Sequence, residues 1–394
     1  MATVTCYRCD SDYRDGRVRC ECGEPLWYDL GAAWADRRDA PGMARYVDGL
    51  PIERLDGIAA GAGGTPLVRA AGLDAVAGCN VYVKDECENP TGSYKDRGSA
   101  VAVSKAIERG TETVGTVSYG NMAMSTAAHA ASLGRDCVVL VPDEIQAVRL
   151  ELIAQYGPTI VQVEGDYGKL YPDALTLNET LPVEFLLGDV PSRISGYKTA
   201  LYEIYESITP DAIVLPTSSG GFASGIWRGV RDLEAAGVLS TPPRLYLVQT
   251  AASDPITRAY RAGHEDVAAM DPAEIEETIA HSIGNPDPPS GARALATARA
   301  TGGEILSVTD EEIERAKRQF ARAGGFCVEP ASATPLAGVE KLSERGLVER
   351  DEQVVLIPTG TGFKEMGVEP TAVETERVVR GDLAERLEAV LAAS

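Results

Sequence analysis

Basic residues, histidine and phenylalanine are scarce in this chain of 394 residues, which has three histidines and five phenylalanines. Its 37 basic residues include only eight lysines and are outnumbered by 59 acidic residues, for a formal net charge of −22. Nucleic acid and an anionic membrane surface would both be repelled by such a chain, so we exclude them as partners. An anionic ligand would need local cations, and each lysine near a candidate site is therefore informative.

The chain also lacks any apolar run long enough to cross a membrane, and its first residues do not resemble a signal peptide. We therefore predict a cytoplasmic protein. The acidic excess is typical of proteins from salt-loving microbes, in which a high ionic strength screens the repulsion between like charges. An acidic protein of an ordinary organism is the alternative.

Four of the eight cysteines fall within the first 22 residues, and the other four are scattered and predicted to be small buried residues. A segment as short as 1–30 cannot bury a core of its own. Its paired cysteines are typical of a zinc ribbon, in which four thiolates surround a structural Zn²⁺ ion. Disulfides are disfavoured in a reducing cytoplasm, and metal-free thiols are the alternative. The predicted ligands are Cys6, Cys9, Cys20 and Cys22.

Short apolar segments alternate with helical patterns along most of the chain, which predicts parallel sheets with helices on both faces. A closing amphipathic helix is predicted around Leu383 and Leu387. The predicted strands are 80–84, 114–117, 137–141, 159–163, 183–187, 212–215, 244–249 and 353–357. The predicted helices are 121–133, 144–156, 166–179, 223–236 and 333–344.

Residues 88–98, Glu-Asn-Pro-Thr-Gly-Ser-Tyr-Lys-Asp-Arg-Gly, are the most informative segment of the chain. The strand 80–84 leads into a Pro/Gly turn, and a helical pattern begins directly after Lys95. A lysine at such a junction can act as an amine nucleophile towards a carbonyl, because desolvation or nearby cations lower its pKa. A solvated surface lysine is the alternative.

The segment 88–98 resembles the lysine motif of threonine synthases and of related fold-type II enzymes that use pyridoxal 5'-phosphate (PLP). These enzymes usually have Phe at the position of Tyr94. The resemblance implies that Lys95 binds PLP covalently in a cleft between two open, parallel-sheet α/β domains. It also implies a large domain formed by 31–99 and 211–394 and a small domain formed by 100–210, after a zinc-ribbon-like segment at 1–30.

Three further segments carry the resemblance: 118–123, 216–225 and 357–364. It implies that Asn121 binds the phenolic oxygen of PLP and that Thr359 contacts its pyridine nitrogen. A neutral hydroxyl at that position favours elimination and replacement over transamination, since it cannot stabilise a pyridinium as an aspartate does. The resemblance implies that the cofactor phosphate is held by Ser218, Ser219, Gly220, Gly221 and Phe222, and the substrate by Ser118, Tyr119, Arg193 and Lys198.

The implied reaction is that of threonine synthase, in which O-phospho-L-homoserine loses phosphate by β,γ-elimination and gains water to give L-threonine. The partner would be a small amino-acid substrate, and relatives are usually homodimers. Lys84 and Arg97 could add charge for the substrate phosphate. Four positions lack the hydrogen-bond donors of the family, which leaves two alternatives open: another elimination or replacement enzyme, such as a threonine/serine dehydratase or a cysteate-synthase-like paralogue, or a non-catalytic protein. These positions are Met122, Ala123, Leu187 and Gly188.

Overall fold

Three β-sheets are present in the described part of this computed structural model, which comprises residues 3–118, 120–143, 145, 147–165 and 169–365. The chain divides into a main unit, Met1–Lys364, and a C-terminal unit, Glu365–Ser394. The strands are β1 Thr3–Cys6, β2 Asp12–Arg14, β3 Leu26–Tyr28, β4 Leu67–Arg69, β5 Asn80–Lys84, β6 Thr113–Val117, β7 Asp136–Pro142, β8 Thr159–Val163, β9 Val183–Phe185, β10 Ala212–Pro216, β11 Arg244–Thr250, β12 Ile305–Val308 and β13 Gln353–Leu356.

Helices follow most of these strands, as the alternating pattern predicts. They are α1 Asp74–Ala77, α2 Lys95–Glu108, α3 Asn121–Ser132, α4 Ala147–Ala154, α5 Leu170–Thr180, α6 Pro191–Tyr197, α7 Thr199–Tyr205, α8 Gly221–Ala235, α9 Pro255–Arg261, α10 Gly291–Ala300, α11 Asp310–Gln319 and α12 Pro330–Glu344. Among the described residues, no helix combines the length and the apolar sequence that crossing a membrane would require. The predicted helix around Leu383 and Leu387 lies outside the described residues.

The largest sheet has six strands in the order β12-β11-β10-β13-β5-β4, and a second sheet has four strands in the order β8-β7-β6-β9. All neighbouring strands in these two sheets are parallel except the edge pair β4 and β5, which is antiparallel. The predicted parallel α/β architecture is therefore confirmed. Strand β12 was not predicted. The small third sheet, β2-β1-β3, carries the first cysteines.

Both faces of the six-stranded sheet are buried, as expected for a parallel sheet with helices on each side. In β10, Ile213 and Leu215 belong to one apolar cluster, whereas Val214 between them belongs to another. This alternation follows from the two-residue period of a strand. Helix α8 packs in the first cluster and α12 in the second. Apolar packing therefore covers the sheet on both faces, and the loops that follow its strands are anchored to a buried sheet.

Candidate active site

Lys95 stands at the start of α2, after the turn that leaves β5. The Asp96 carboxylate closes this turn, because its two oxygens accept hydrogen bonds from the Thr91 backbone N–H at 2.6 Å and the Thr91 hydroxyl at 2.8 Å. The Tyr94 backbone N–H also donates to the Thr359 carbonyl oxygen at 2.9 Å. The predicted strand–turn–helix junction is therefore present, and it fixes the backbone of Lys95.

The Lys95 side chain is partly buried against aromatic rings rather than paired with a carboxylate. Its Nζ lies 4.6 Å from the centroid of the Tyr94 ring, and that ring packs on Phe222 at 4.3 Å between centroids. Burial, reinforced by the positive charge of Arg193, lowers the pKa of Lys95 to about 7, although Glu329 acts in the opposite direction. An amine with this pKa is substantially neutral at neutral pH and can act as a nucleophile or a base.

Asn121 begins α3 and connects three segments of the site. Its Nδ2 donates to both carboxylate oxygens of Glu329, at 2.9 and 3.1 Å, and its Oδ1 accepts a hydrogen bond from Lys364 Nζ. Lys364 Nζ also donates to the Thr91 carbonyl oxygen at 3.0 Å, beside the Lys95 turn. Ser118 is partly buried just before α3 and accepts from the Gly120 backbone N–H, whereas Tyr119 lies outside the described residues.

The loop from Pro216 to Phe222 joins β10 to α8 and presents backbone N–H groups. Within the described residues, no acceptor contacts the backbone N–H groups of 218–222. Gly220 has a φ of +87°, and a Cβ at this position would lie 2.6 Å from the Ser290 carbonyl oxygen, so a larger residue would not fit. Consecutive unsatisfied N–H groups before a helix suit an anion such as a phosphate.

Thr359 lies after β13 and is almost fully buried. Its Oγ1 is 3.1 Å from Ser332 Oγ, and the same Ser332 oxygen accepts hydrogen bonds from the Thr359 and Gly360 backbone N–H groups at 3.0 and 2.7 Å. An isolated bridge between Ser93 and Gly360 ties this turn to the Lys95 turn. The sequence-predicted residues of this site are therefore brought into one region through shared partners. Tyr94 contacts Lys95, Phe222 and Thr359, and Lys364 links Asn121 to the turn before Lys95.

Three of the four cations that we considered for binding a substrate phosphate are already neutralised by buried carboxylates. Lys84 and Arg97 both pair with Glu203 at 2.7 Å, and Lys198 pairs with Asp232 at 2.8 Å. The Lys198 Nζ also donates to the Gly31 carbonyl oxygen. The structure therefore does not bring Lys198 together with the loops around Lys95, and we leave it out of the proposed substrate site.

Arg193 differs from these cations because it has no carboxylate partner among the described residues. It is fully buried, and its donors reach only neutral oxygens: Leu186 O at 3.1 Å, Ser99 Oγ at 2.8 Å and Thr126 Oγ1 at 2.7 Å. Its hydrogen bonds reach the Asp96 carboxylate only through the hydroxyls of Ser99 and Ser125, and its charge is close enough to lower the pKa of Lys95. Arg193 therefore contributes a positive electrostatic potential to the site, although its own side chain is fully buried.

Four positions lack the hydrogen-bond donors of the family, and of these only Gly188 and Met122 are near the loop 216–222, which we term the anion-binding loop. A Cβ at Gly188 would lie 3.7 Å from Met122 Sδ and 4.0 Å from Ser219 Oγ. Leu187 and Ala123, by contrast, are fully buried members of apolar clusters. A hydroxyl at these two core positions would not face the anion-binding loop. The site therefore loses fewer hydrogen-bond donors than the sequence indicates.

The four N-terminal cysteines form a compact cluster whose ligand atoms all lie within 4.8 Å of one another. The shorter Sγ–Sγ distances are 3.5 Å for Cys9–Cys20, 3.6 Å for Cys6–Cys22 and 3.9 Å for Cys9–Cys22. A tetrahedron with Zn–S bonds of about 2.3 Å has edges of about 3.8 Å, so the cluster fits a zinc ion. We refer to residues 3–28, which carry these cysteines, as the ribbon.

Sequence reasoning assigned no role to Glu329, a buried carboxylate of the site. In addition to Asn121, it accepts a hydrogen bond from Ser282 Oγ at 3.3 Å, and it stands directly before the first residue of α12, Pro330. A carboxylate before a helix-starting proline was the available signal, but its partners are distant in sequence.

A protein-family model described as pyridoxal-phosphate dependent enzyme matches residues 58–360. Curated relatives extend over nearly the whole chain. The threonine synthase of Methanocaldococcus jannaschii is 36% identical over 380 residues, which are 91% of this chain and 92% of the relative. The threonine synthase of Methanosarcina acetivorans is 35% identical over 400 residues, with 95% and 96% covered.

Solved structures agree on the fold. Maize serine racemase superimposes with a TM-score of 0.65 at 20% identity, covering 84% of this chain and 93% of that one. A threonine deaminase from T.th. gives a TM-score of 0.63 at 24% identity, with 78% and 94% covered. The chain therefore belongs to the pyridoxal-phosphate dependent enzyme family and has the fold-type II architecture of these enzymes.

Proposed function

We propose that this chain is a threonine synthase, which eliminates phosphate from O-phospho-L-homoserine and adds water to give L-threonine. The observation that carries the proposal is the buried guanidinium of Arg193, which has no ion-paired carboxylate among the described residues and lies close enough to Lys95 to lower its pKa. A fully buried cation without a counter-ion is unfavourable unless an anion binds nearby. The similarity to threonine synthases over more than 90% of the chain agrees with a phosphorylated substrate.

The residues of the cleft fit PLP. The unsatisfied N–H groups of 218–222 suit its phosphate. We propose that the side-chain amide of Asn121 would bind the phenolic oxygen of the ring and that the Thr359 hydroxyl would contact its nitrogen. The bound cofactor would supply an electron-withdrawing ring that makes the α-proton of an amino acid removable. A hydroxyl at Thr359 keeps that withdrawal moderate, which favours elimination.

Lys95 is the proposed catalytic residue. Its amine, with a pKa lowered to about 7 by burial and by Arg193, is poised to take protons from the substrate Cα and Cβ. It would return a proton at Cγ after phosphate leaves, and one at Cα after water has added its hydroxyl to Cβ. The wall formed by Tyr94 and Phe222 limits access of water to the amine. We propose that Ser118 and Tyr119 hold the substrate carboxylate and that Arg193 stabilises the phosphate through its field.

A second candidate function is a dehydratase acting on threonine or serine. It is favoured by Met122 and Gly188, which stand near Ser219 without a hydroxyl that could bind a second phosphate. Two assays on one preparation separate the candidates. We expect phosphate release from O-phospho-L-homoserine in equal amount with L-threonine. Formation of 2-oxobutyrate from L-threonine, with phosphohomoserine inert, would reverse the assignment, and a colourless protein inert in both assays would indicate a non-catalytic role.

We also propose that the ribbon binds one structural Zn²⁺ ion through Cys6, Cys9, Cys20 and Cys22. The sulfur distances support this, and none of the eight cysteines, all of which are described, forms a disulfide, which suits the reducing cytoplasm. Elemental analysis should find one zinc per chain in the wild type and far less in Cys9→Ser. Equal zinc in both proteins would contradict the assignment.

A further inference from the structure

The side chain of Arg19 in the ribbon contacts residues of the main body of the protein. Arg19 directly precedes the cysteine Cys20, and its Nη2 donates to Asp189 Oδ2 at 2.8 Å and to Tyr171 Oη at 2.6 Å. Its Nη1 donates to the Pro289 carbonyl oxygen at 3.1 Å. These partners are 152–270 residues away in sequence, so the contact joins separate parts of the chain.

Asp189 is the acceptor at the centre of this contact. Its side chain is 2% exposed and accepts hydrogen bonds from Arg19, from the Tyr171 hydroxyl and, at 3.0 Å, from Ser290 Oγ. Burial would raise the pKa of Asp189, but Arg19 and Tyr171 lower it below the usual range, so the carboxylate is charged. Asp189 is therefore held in one orientation by three donors from three segments.

Two residues next to Asp189 contact the anion-binding loop: Gly188, which precedes it in the sequence, and Ser290, which donates a hydrogen bond to it. Gly188, which precedes Asp189, has its carbonyl oxygen 2.9 Å from the position of a Cβ at Gly221. The Ser290 backbone N–H donates to the Ser219 carbonyl oxygen at 3.0 Å. A shift of Asp189 would therefore move the loop from both sides.

Arg293 makes a second link between the ribbon and the same loop. Its Nη1 donates to the carbonyl oxygens of Pro25 and Leu26 in the ribbon, at 3.2 and 3.4 Å. Its Nε donates to Ser224 Oγ at 2.8 Å, and that hydroxyl donates to the Gly220 carbonyl oxygen at 2.7 Å. Arg293 is fully buried, so this link is also a fixed one.

A segment as small as the ribbon rarely holds its shape by apolar burial alone, so we expect its geometry to depend on the metal proposed for its cysteines. We propose that Asp189 is a positioning residue for the anion-binding loop 216–222. Arg19 of the ribbon holds Asp189 in place, and Asp189 in turn sets the geometry of the loop. Metal bound by the ribbon and phosphate bound by the loop then strengthen each other's binding, because such coupling is reciprocal. This inference rests on the proposed cofactor site and extends it to the ribbon.

Titration of the full-length, cofactor-free protein with PLP tests the inference. We expect Asp189→Asn and Arg19→Gln each to raise the dissociation constant of PLP about tenfold, and the double variant to do no more than either. Removing the metal with a chelator should weaken PLP binding by the wild type to the same extent, but should add nothing in Arg19→Gln. The phosphorus NMR signal of the bound cofactor should shift in both variants.

Asp266→Asn is the matched control, because Asp266 is an exposed carboxylate that pairs with Arg8 of the ribbon without touching the loop. It should bind PLP like the wild type. PLP affinity and phosphorus signal unchanged in Arg19→Gln, or additive losses in the double variant, would overturn the inference. Arg19 is partly exposed, so Arg19→Gln decides the matter even if Asp189→Asn does not fold. A wild type that binds PLP but leaves phosphohomoserine unchanged would refute the proposed function and leave this test valid.

Discussion

Two buried groups of charge lie beside the same turn and have different consequences. In the first, which we term the paired cluster, Lys84 and Arg97 contact the carboxylates of Glu86 and Glu203. In the second, the Lys95 pocket, Lys95 and Arg193 have no carboxylate at ion-pair distance among the described residues. In the paired cluster, each buried cation has a carboxylate partner, and the cluster is a structural element. In the Lys95 pocket the cations lack such a partner, so Lys95 is a reactive amine and the pocket favours binding of an anion.

The pKa values show the same difference. Burial would raise the pKa of Glu203, but Arg97 and Lys84 lower it to about 2, so Glu203 stays ionised over the whole physiological range. In the pocket, burial and Arg193 lower the pKa of Lys95 to about 7. The two sites both contain buried cations, and they differ in chemistry because only the paired cluster has carboxylates at ion-pair distance.

The largest expected effect concerns the pocket. Lys95→Arg keeps a cation but removes the amine that moves protons, so turnover of O-phospho-L-homoserine should fall by about 10³-fold or more. The free energy of unfolding should change little. The control is Lys169→Arg at an exposed position, which should be fully active. Turnover by Lys95→Arg within tenfold of the wild type would contradict the role of Lys95.

The paired cluster should respond in the opposite way. Glu203→Gln leaves Lys84 buried without its carboxylate and deprives Arg97 of one of two, so the free energy of unfolding should fall by about 3–5 kcal/mol. Glu206→Gln, three residues further on, is the matched control: its side chain is 20% exposed against 5% for Glu203. It should cost about 1 kcal/mol or less in urea unfolding. Equal losses in the two variants would show that burial of the pair is irrelevant.

The pH dependence of stability should report the unpaired lysine. The pKa of Lys95 is about 7 in the folded protein against 10.5 as reference, so the unfolded chain binds its proton more tightly. This destabilising effect is complete below pH 7 and is lost as the pH rises towards 10.5. Cofactor-free Lys95→Met should therefore be more stable than the wild type near neutral pH, by a margin that shrinks in alkaline solution.

Urea unfolding at a series of pH values measures that margin, with Lys169→Met as the control for loss of an exposed lysine. A margin that stays constant from pH 7 to pH 10 would mean that the Lys95 amine does not titrate within this range.

The smallest effect is expected at an exposed ion pair. Arg54 and Asp56 lie 2.5 Å apart with side chains 80% and 52% exposed. Because water screens such a pair and its side chains lose rotational freedom, Arg54→Gln should change the free energy of unfolding by less than about 1 kcal/mol. A loss as large as that of Glu203→Gln would remove the distinction between buried and exposed pairs.

The Lys95 pocket was largely predictable from the sequence, but the paired cluster was not. The turn before Lys95 and the helix after it are local features, and both occur where the sequence predicts them. The partners of Lys84 and Arg97 include Glu203, which is 119 and 106 residues away, so no local pattern could reveal that these cations are neutralised. The same is true of Arg19 and Asp189, 170 residues apart.

Two other differences concern a strand and a side-chain contact. Strand β12, Ile305–Val308, was not predicted, although it is as long as the strand predicted at 212–215. Phe222 was predicted only as part of the phosphate-binding loop, and its contact with Tyr94 could be seen only in three dimensions. The roles of Ser118, Tyr119 and Arg193 towards the substrate stay predictions.

The central claim is that Lys95 is the lysine that binds the cofactor covalently. Borohydride treatment of the protein loaded with PLP, followed by proteolysis and mass spectrometry, tests this claim most directly. We expect one modified lysine, in the peptide that contains residue 95, and no modification in Lys95→Ala. Modification at Lys84, Lys198 or Lys364 instead, or an unchanged yield in Lys95→Ala, would contradict it.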